Sequence, residues 1–240
     1  MAVVLRSTLP IAAAVALAAC GSGNRQQTSQ QAQVETRPAP PAPEIPKAAD
    51  TRPVIAAFGD SLSAGFGVEP GRSFPDDIQR MLDAKGYRYH VMNLGVSGDT
   101  TTDGVERLAT VLAIHPAIVL LEFGGNDGLR GLPVTSTEKN LATMIEALQN
   151  AGTQVVLAGM TLPRNYGPEY IQSFERVYVD LAKRYRLVRI PFLLEGVGGH
   201  PDLMQADGIH PTEEGAEIVA RNVMNYLQPL LKAESSRPAA

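Results

Sequence analysis

The chain has one cysteine, Cys20, among 240 residues. It can form no intramolecular disulfide and no cysteine-built metal cluster. Its four histidines, at 90, 115, 200 and 210, include no pair at metal-ligand spacing, which argues against a zinc site. No basic tract stands out, and 25 acidic residues against 21 lysines and arginines give a formal charge of -4. That balance argues against a nucleic-acid partner. The apolar run near the N-terminus is too short to span a bilayer. There is no internal repeat and no second linker to mark a further domain. What is present is apolar: 44% of the residues are hydrophobic, enough for one sizeable core.

Residues 1–19 carry one charge, Arg6, followed by an apolar stretch with the length of a signal-peptide core. The stretch closes on Leu17-Ala18-Ala19-Cys20. This resembles a bacterial lipobox, in which the cysteine is lipidated and becomes the new N-terminus. An ordinary signal peptide with a coincidental cysteine is the alternative, but the chain's only cysteine stands where the box requires it. The resemblance implies a lipoprotein signal peptide over 1–19 and a lipidated Cys20 that anchors the chain by inserted acyl chains. With Gly21 giving no inner-membrane retention signal, it implies an outer-membrane anchor facing the periplasm. Residues 20–53 are Gln-rich and then Pro-rich, with almost nothing large and apolar to bury. They read as a disordered tether reaching roughly 30 Å on average. Residues 232–240 read as a disordered tail.

Between 54 and 231, short apolar runs alternate with amphipathic stretches. The runs at 54–58, 89–94, 117–122, 154–158 and 187–190 predict strands. The run at 117–122 is almost continuously apolar, as in a parallel sheet covered on both faces. Helical spacing predicts helices over 74–85, 100–114, 137–150, 169–185 and 212–231, with Val105, Leu108 and Leu112 facing inward in the second. Five strands separated by helices give a doubly wound α/β sheet. A flavodoxin-like order of 2-1-3-4-5 puts the switch point between strands 1 and 3, where such sheets bind ligands.

The loops after those strands carry Gly59-Asp60-Ser61-Leu62 and Gly124-Gly125-Asn126-Asp127. Either alone is an ordinary turn composition. A serine needs an adjacent base to act as a nucleophile. Asp207-Gly208-Ile209-His210, before the last helix, offers one: a tight turn brings the carboxylate to the imidazole, so that His210 takes the Ser61 proton and Asp207 orients it. Asn93-Leu94-Gly95-Val96-Ser97-Gly98 follows strand 2, and Gly95 can bring its backbone N–H close to a ligand. The Gly-x-Ser-x-Gly elbow of α/β-hydrolases is absent, since Ser63 stands where its glycine belongs. A dinucleotide loop at Gly65-Phe66-Gly67 is discounted, because Pro70 replaces the third glycine.

Together and in order, these four stretches resemble the SGNH hydrolases, also called GDSL esterases and lipases. The longer matches around Ser61 and Asn126 are similar to the bacterial branch of acyl-thioesterases, lysophospholipases and arylesterases. The resemblance implies a three-layer α/β/α fold and a catalytic triad of Ser61, Asp207 and His210. It implies an oxyanion hole from the N–H groups of Ser61 and Gly95 and the Asn126 amide, with no metal or cofactor. The expected substrates are short- to medium-chain acyl esters, thioesters or lysophospholipids. Leu129, Leu132, Leu162 and Tyr166 are candidates to line the acyl groove. Two other readings use the same fold: a carbohydrate O-acetyl esterase of the envelope, and a non-catalytic envelope lipoprotein.

Overall fold

The computed structural model describes residues 50–232. The expected signal segment, Cys20, the tether up to residue 49 and the tail from 233 lie outside the described residues. The sheet has five parallel strands in the order β2-β1-β3-β4-β5. They are β1 (Val54–Gly59), β2 (His90–Asn93), β3 (Ile118–Glu122), β4 (Gln154–Ala158) and β5 (Val188–Ile190). β1 lies between β2 and β3, and its register sets Ala57 beside Leu120 and Gly59 beside Glu122. The two strands flanking the switch point therefore end level with each other.

Helices cover both faces. α2 (Phe74–Ala84) and α8 (Glu213–Leu227) pack on each other in one layer, and α3 (Thr101–Glu106), α6 (Val134–Asn150) and α7 (Pro168–Tyr185) form the other. Ile78 and Leu82 of α2, Leu141, Met144 and Leu148 of α6, and Phe174 and Leu181 of α7 are buried against the sheet. Their three- and four-residue spacing is the reason these segments are helices in this context. Caps fix where they begin. The Thr100 N–H donates to the Asp103 carboxylate (2.8 Å) and the Thr212 hydroxyl accepts from Gly215 N–H (3.2 Å).

Three boundaries depart from expectation. Residues 100–114 form two helices, α3 and α4 (Leu108–Ala113), with the break at Arg107. Arg107 leaves helical geometry because its guanidinium is pulled into the fold. It donates to the Gly59 carbonyl (2.7 Å), the Leu94 carbonyl (2.7 Å) and the Asp99 carboxylate (2.6 Å), and lies 4.5 Å over the Phe58 ring. The break turns the buried face, so Val111 is buried while Val105 and Leu112 are only half-buried. The last helix stops at Leu227, followed by a 3₁₀ turn over Gln228–Leu230, because Pro229 has no N–H to continue it. α6 begins three residues before the expected position, directly after Pro133.

Replacing Arg107 with alanine leaves two carbonyls and the Asp99 carboxylate without their donor. The expected cost is about 3 kcal/mol. Thermal unfolding should read this as a fall of roughly 6–12 °C in Tm; a Tm unchanged from wild type would contradict the role given to this side chain.

Candidate active site

Ser61 opens a single helical turn, α1 (Ser61–Ala64), directly after β1. Asp60 caps that turn, its carboxylate accepting from Leu62 N–H (3.1 Å). Gly59 is the last strand residue, and a Cβ there would collide with the Glu122 carboxylate and the Ser63 hydroxyl. The turn thus packs directly on the end of β3.

The loop between β5 and α8 brings the other two residues. His210 Nε2 lies 2.8 Å from Ser61 Oγ, and His210 Nδ1 lies 2.6 Å from Asp207 Oδ2. Both distances are those of good hydrogen bonds. Asp207 also accepts from the N–H groups of Ile209 (2.9 Å) and His210 (3.0 Å), so its own turn fixes its orientation. Burial alone would raise the Asp207 pKa. The bonds from the His210 ring and from the two backbone N–H groups outweigh it and hold the carboxyl down to about 2. Gln205 ties this loop to the segment after α1, its amide donating to the carbonyls of Phe66 (2.7 Å) and Pro211 (2.8 Å). The Phe66 ring stands 4.6 Å from the His210 ring. A Ser–His–Asp relay is therefore in place, with its imidazole held on one side by a carboxylate and on the other by the hydroxyl.

Asn126 lies on α5 (Gly125–Leu129), beyond the end of β3. Its Nδ2 donates to Asp60 Oδ2 (3.1 Å) and to the Asp99 carbonyl (2.9 Å), which links the loops after β1, β2 and β3. Asp127, the next residue, is buried and accepts from Thr101 N–H (2.8 Å), so it anchors the start of α3.

The assignment of Gly95 requires correction. Its N–H is already donated to Asn93 Oδ1 (2.9 Å), and its α-carbon is pressed against the backbone of Ser63 and Ala64. Gly95 is a packing glycine. From the same loop it is Ser97 and Gly98 that line the cavity of about 210 Å³ in front of Ser61, with Asn126 and His210. Gly98 has φ of 90°, a conformation that favours glycine. Among the described residues, no turn, loop or cap bond to backbone uses the Ser61 or Gly98 N–H, and both residues line that cavity. The sequence signal for Gly98 is the Gly98-Asp99 pair: Asp99 takes the Arg107 guanidinium and fixes the loop immediately after the glycine.

The groove residues divide. Leu129 and Leu162 line a larger apolar cavity of about 690 Å³, together with Met160, Phe192, Met204 and Ile209. This cavity shares Leu62, Gly125, Leu129 and Ile209 with the smaller one. Leu132 and Tyr166 are not in either wall. The Tyr166 hydroxyl instead donates to the Leu129 carbonyl (2.7 Å), and the Tyr170 hydroxyl donates to the Leu132 carbonyl (2.9 Å). Arg130 donates to the Gly98 carbonyl (2.8 Å) and so braces one wall against the other. Among the described residues, no cluster of His, Cys, Asp and Glu is arranged to hold a metal ion.

Known proteins resemble this chain over the same region. The profile described as "GDSL-like Lipase/Acylhydrolase family" matches residues 57–218. "Esterase TesA" of Pseudomonas aeruginosa is 44% identical over 178 residues, 74% of this chain and 89% of that protein. "Thioesterase 1/protease 1/lysophospholipase L1" of Escherichia coli K12 is 37% identical over 189 residues, 78% of this chain and 88% of that protein. A solved structure described as "Crystal Structure of TesA" superposes with a TM-score of 0.72 at 43% identity, covering 74% of this chain and 99% of that one.

The Asp207 carboxyl should stay ionised in the folded protein down to about pH 2 in a carbon-detected NMR titration. Its contribution to stability is then complete above its ordinary value of 3.8 and is lost as the pH falls through about 2. His210→Ala should move the midpoint upward; a midpoint that stays put would mean the imidazole does not hold the carboxylate.

Proposed function

We propose that this chain, which belongs to the GDSL-like lipase/acylhydrolase family, cleaves acyl esters and thioesters with Ser61 as nucleophile. It is a serine ester hydrolase. The observation that carries the residue assignment is the unbroken run of hydrogen bonds from Ser61 through His210 to Asp207.

Ser61 Oγ attacks the acyl carbonyl carbon while His210 Nε2 takes its proton. The Asp207 carboxylate stabilises the imidazolium and keeps the ring in the required tautomer. The carbonyl oxygen becomes an oxyanion, received by the N–H groups of Ser61 and Gly98. Asn126 adds its Nδ2–H, which can pass from the Asp99 carbonyl to the oxyanion as charge develops there. The tetrahedral intermediate collapses, the bond to the leaving oxygen or sulfur breaks, and His210 returns the proton to the leaving group. Water, deprotonated by His210 in turn, releases the acid from Ser61.

The acyl chain enters the apolar cavity lined by Leu129, Leu162 and Met204. Its apolar walls and its size favour chains longer than acetyl, and so an acyl esterase over a carbohydrate O-acetyl esterase. Lysophospholipids fit the same demand, with one acyl chain in the groove and the head group leaving. The sequence around Cys20 supports lipidation there, which would hold the enzyme at the bacterial outer membrane on its periplasmic side. Labelled palmitate should enter the chain in a bacterial host and fail to enter Cys20→Ser; equal labelling of both would overturn the anchor.

Hydrolysis of p-nitrophenyl esters from acetate to palmitate should be fastest between butyrate and decanoate. Ser61→Ala and His210→Ala should nearly abolish it, and Asn126→Ala should lower kcat by roughly 10²–10³. An acetate optimum would favour the carbohydrate esterase, and a folded wild type inactive on every ester and thioester would favour a non-catalytic scaffold.

A further inference from the structure

Glu122 ends a strand made otherwise of isoleucine, valine and leucine, and it is wholly buried beneath the turn that carries Ser61. Its Oε2 accepts from Asp60 N–H (3.1 Å), Ser63 N–H (3.2 Å) and the Ser63 hydroxyl (2.8 Å). Its Oε1 is buried and meets no donor among the described residues. The Asp60 carboxyl, 2% exposed, is a second buried acid beside it, on the residue whose own N–H donates to Glu122 Oε2. Asp60 in turn accepts from Leu62 N–H and Asn126 Nδ2. The donors are thus divided between Asp60 and one oxygen of Glu122, and the other oxygen is left with none. An ionised Glu122 would set a second, half-solvated charge against Asp60. A protonated one removes that second charge and gives the orphaned oxygen a proton to donate.

We propose that Glu122 is a positioning residue of the nucleophile turn, a neutral carboxylic acid whose proton is shared with the Asp60 carboxylate. One proton then joins the end of β3 to the cap of α1 and, through Asp60, to Asn126. The proposal rests on the roles given above to Ser61 and Asn126. The titratable and charged groups facing the pair agree with this protonation. Arg107, from the α3–α4 break, is committed to Asp99 and to backbone carbonyls. Tyr178, from α7, donates to the Phe123 carbonyl (2.9 Å), and Asp127, from α5, is held by Thr101. Burial pushes the Asp60 carboxyl up to about 6, against the bond from Leu62 N–H and the weaker pull of His210 from the final loop, which leaves Asp60 the charged member of the pair at pH 7. Burial first, and the neighbouring Asp60 charge second, hold the Glu122 carboxyl well above its ordinary range, against the opposing pull of its donors.

The test compares wild type with Glu122→Gln and Glu122→Ala in the full domain. Glutamine keeps a donor and an acceptor in the same places without an ionisable proton. At pH 7 the difference infrared spectrum should show a protonated-carboxyl stretch in wild type that Glu122→Gln lacks. Glu122→Gln should keep kcat within a few fold of wild type and lose an alkaline fall in kcat that wild type shows. Glu122→Ala should lower kcat by roughly 10²-fold through a displaced nucleophile, with KM little changed. Wild-type stability should fall as pH rises from the ordinary glutamate value of 4.5 toward the raised one, and Glu122→Gln should flatten that slope. No difference in the carboxyl band, or identical alkaline limbs in wild type and Glu122→Gln, overturns the proposal. So does Glu122→Ala turning over as Glu122→Gln does. If the alanine variant fails to fold, the glutamine comparison decides alone. The infrared band and the stability slope need no turnover, so they separate failure of this proposal from failure of the Ser61 assignment.

Discussion

Parallel pairing of β1 with β3 sets Gly59 beside Glu122, and the site is built outward from that register. A shift of one residue would turn Glu122 to the opposite face of the sheet and leave the nucleophile turn without its support. Because the strands end level, the one-turn helix bearing Ser61 sits directly on the end of β3, and Asn126 reaches back to its cap. The triad closes only because a loop 149 residues later in the chain arrives at the same edge. The bridge between Met204 and Pro211 and the Gln205 amide hold that loop there.

The edge of the sheet is rich in acidic side chains for a site expected to stabilise negative charge. Their arrangement resolves the conflict. Glu122 and Asp127 are buried, accept from backbone N–H groups and hydroxyls, and lie outside the cavity lining; Asp60 does border the cavity, but its carboxylate is committed to Leu62 N–H and the Asn126 amide. Arg107 neutralises Asp99 and gathers the carbonyls of Gly59 and Leu94. With those carbonyls committed, the Ser61 and Gly98 N–H groups border the cavity with no turn, loop or cap bond to backbone among the described residues. Donors fixed in advance cost no reorganisation when an oxyanion forms, which is the main source of stabilisation in such sites.

Much of this was legible in the sequence. The alternation of apolar runs and amphipathic stretches yields the five strands, because a parallel sheet with covered faces leaves that periodicity, and their order follows the flavodoxin-like analogy. Ser61, Asp207 and His210 stand beside glycine turns in the sequence, and the structure brings their side chains together, while Asn126 is singled out by the family resemblance. What was not legible depends on tertiary partners. The sequence points to Gly95, and the structure turns the choice to Gly98 because Asn93 has consumed the Gly95 N–H. The break at Arg107 follows from carbonyls contributed by other loops. In sequence, Tyr166 and Leu132 look as suited to the groove as Leu129, but the Tyr166 hydroxyl is bonded to the Leu129 backbone and neither residue lines the cavity. Glu122 closes an apolar run and reads there as its end, while its buried position comes from the turn folded over it.

The most direct test of the account is the site of covalent capture by a fluorophosphonate ester, an electrophile that a serine activated by histidine attacks as it would an acyl carbonyl. After incubation at neutral pH, intact-protein mass should rise by one phosphonyl group, and peptide mapping should place it on Ser61. Capture should be lost in His210→Ala. Label on a different residue, or a wild type that hydrolyses esters yet remains unlabelled at Ser61, would contradict the assignment of this serine as the nucleophile.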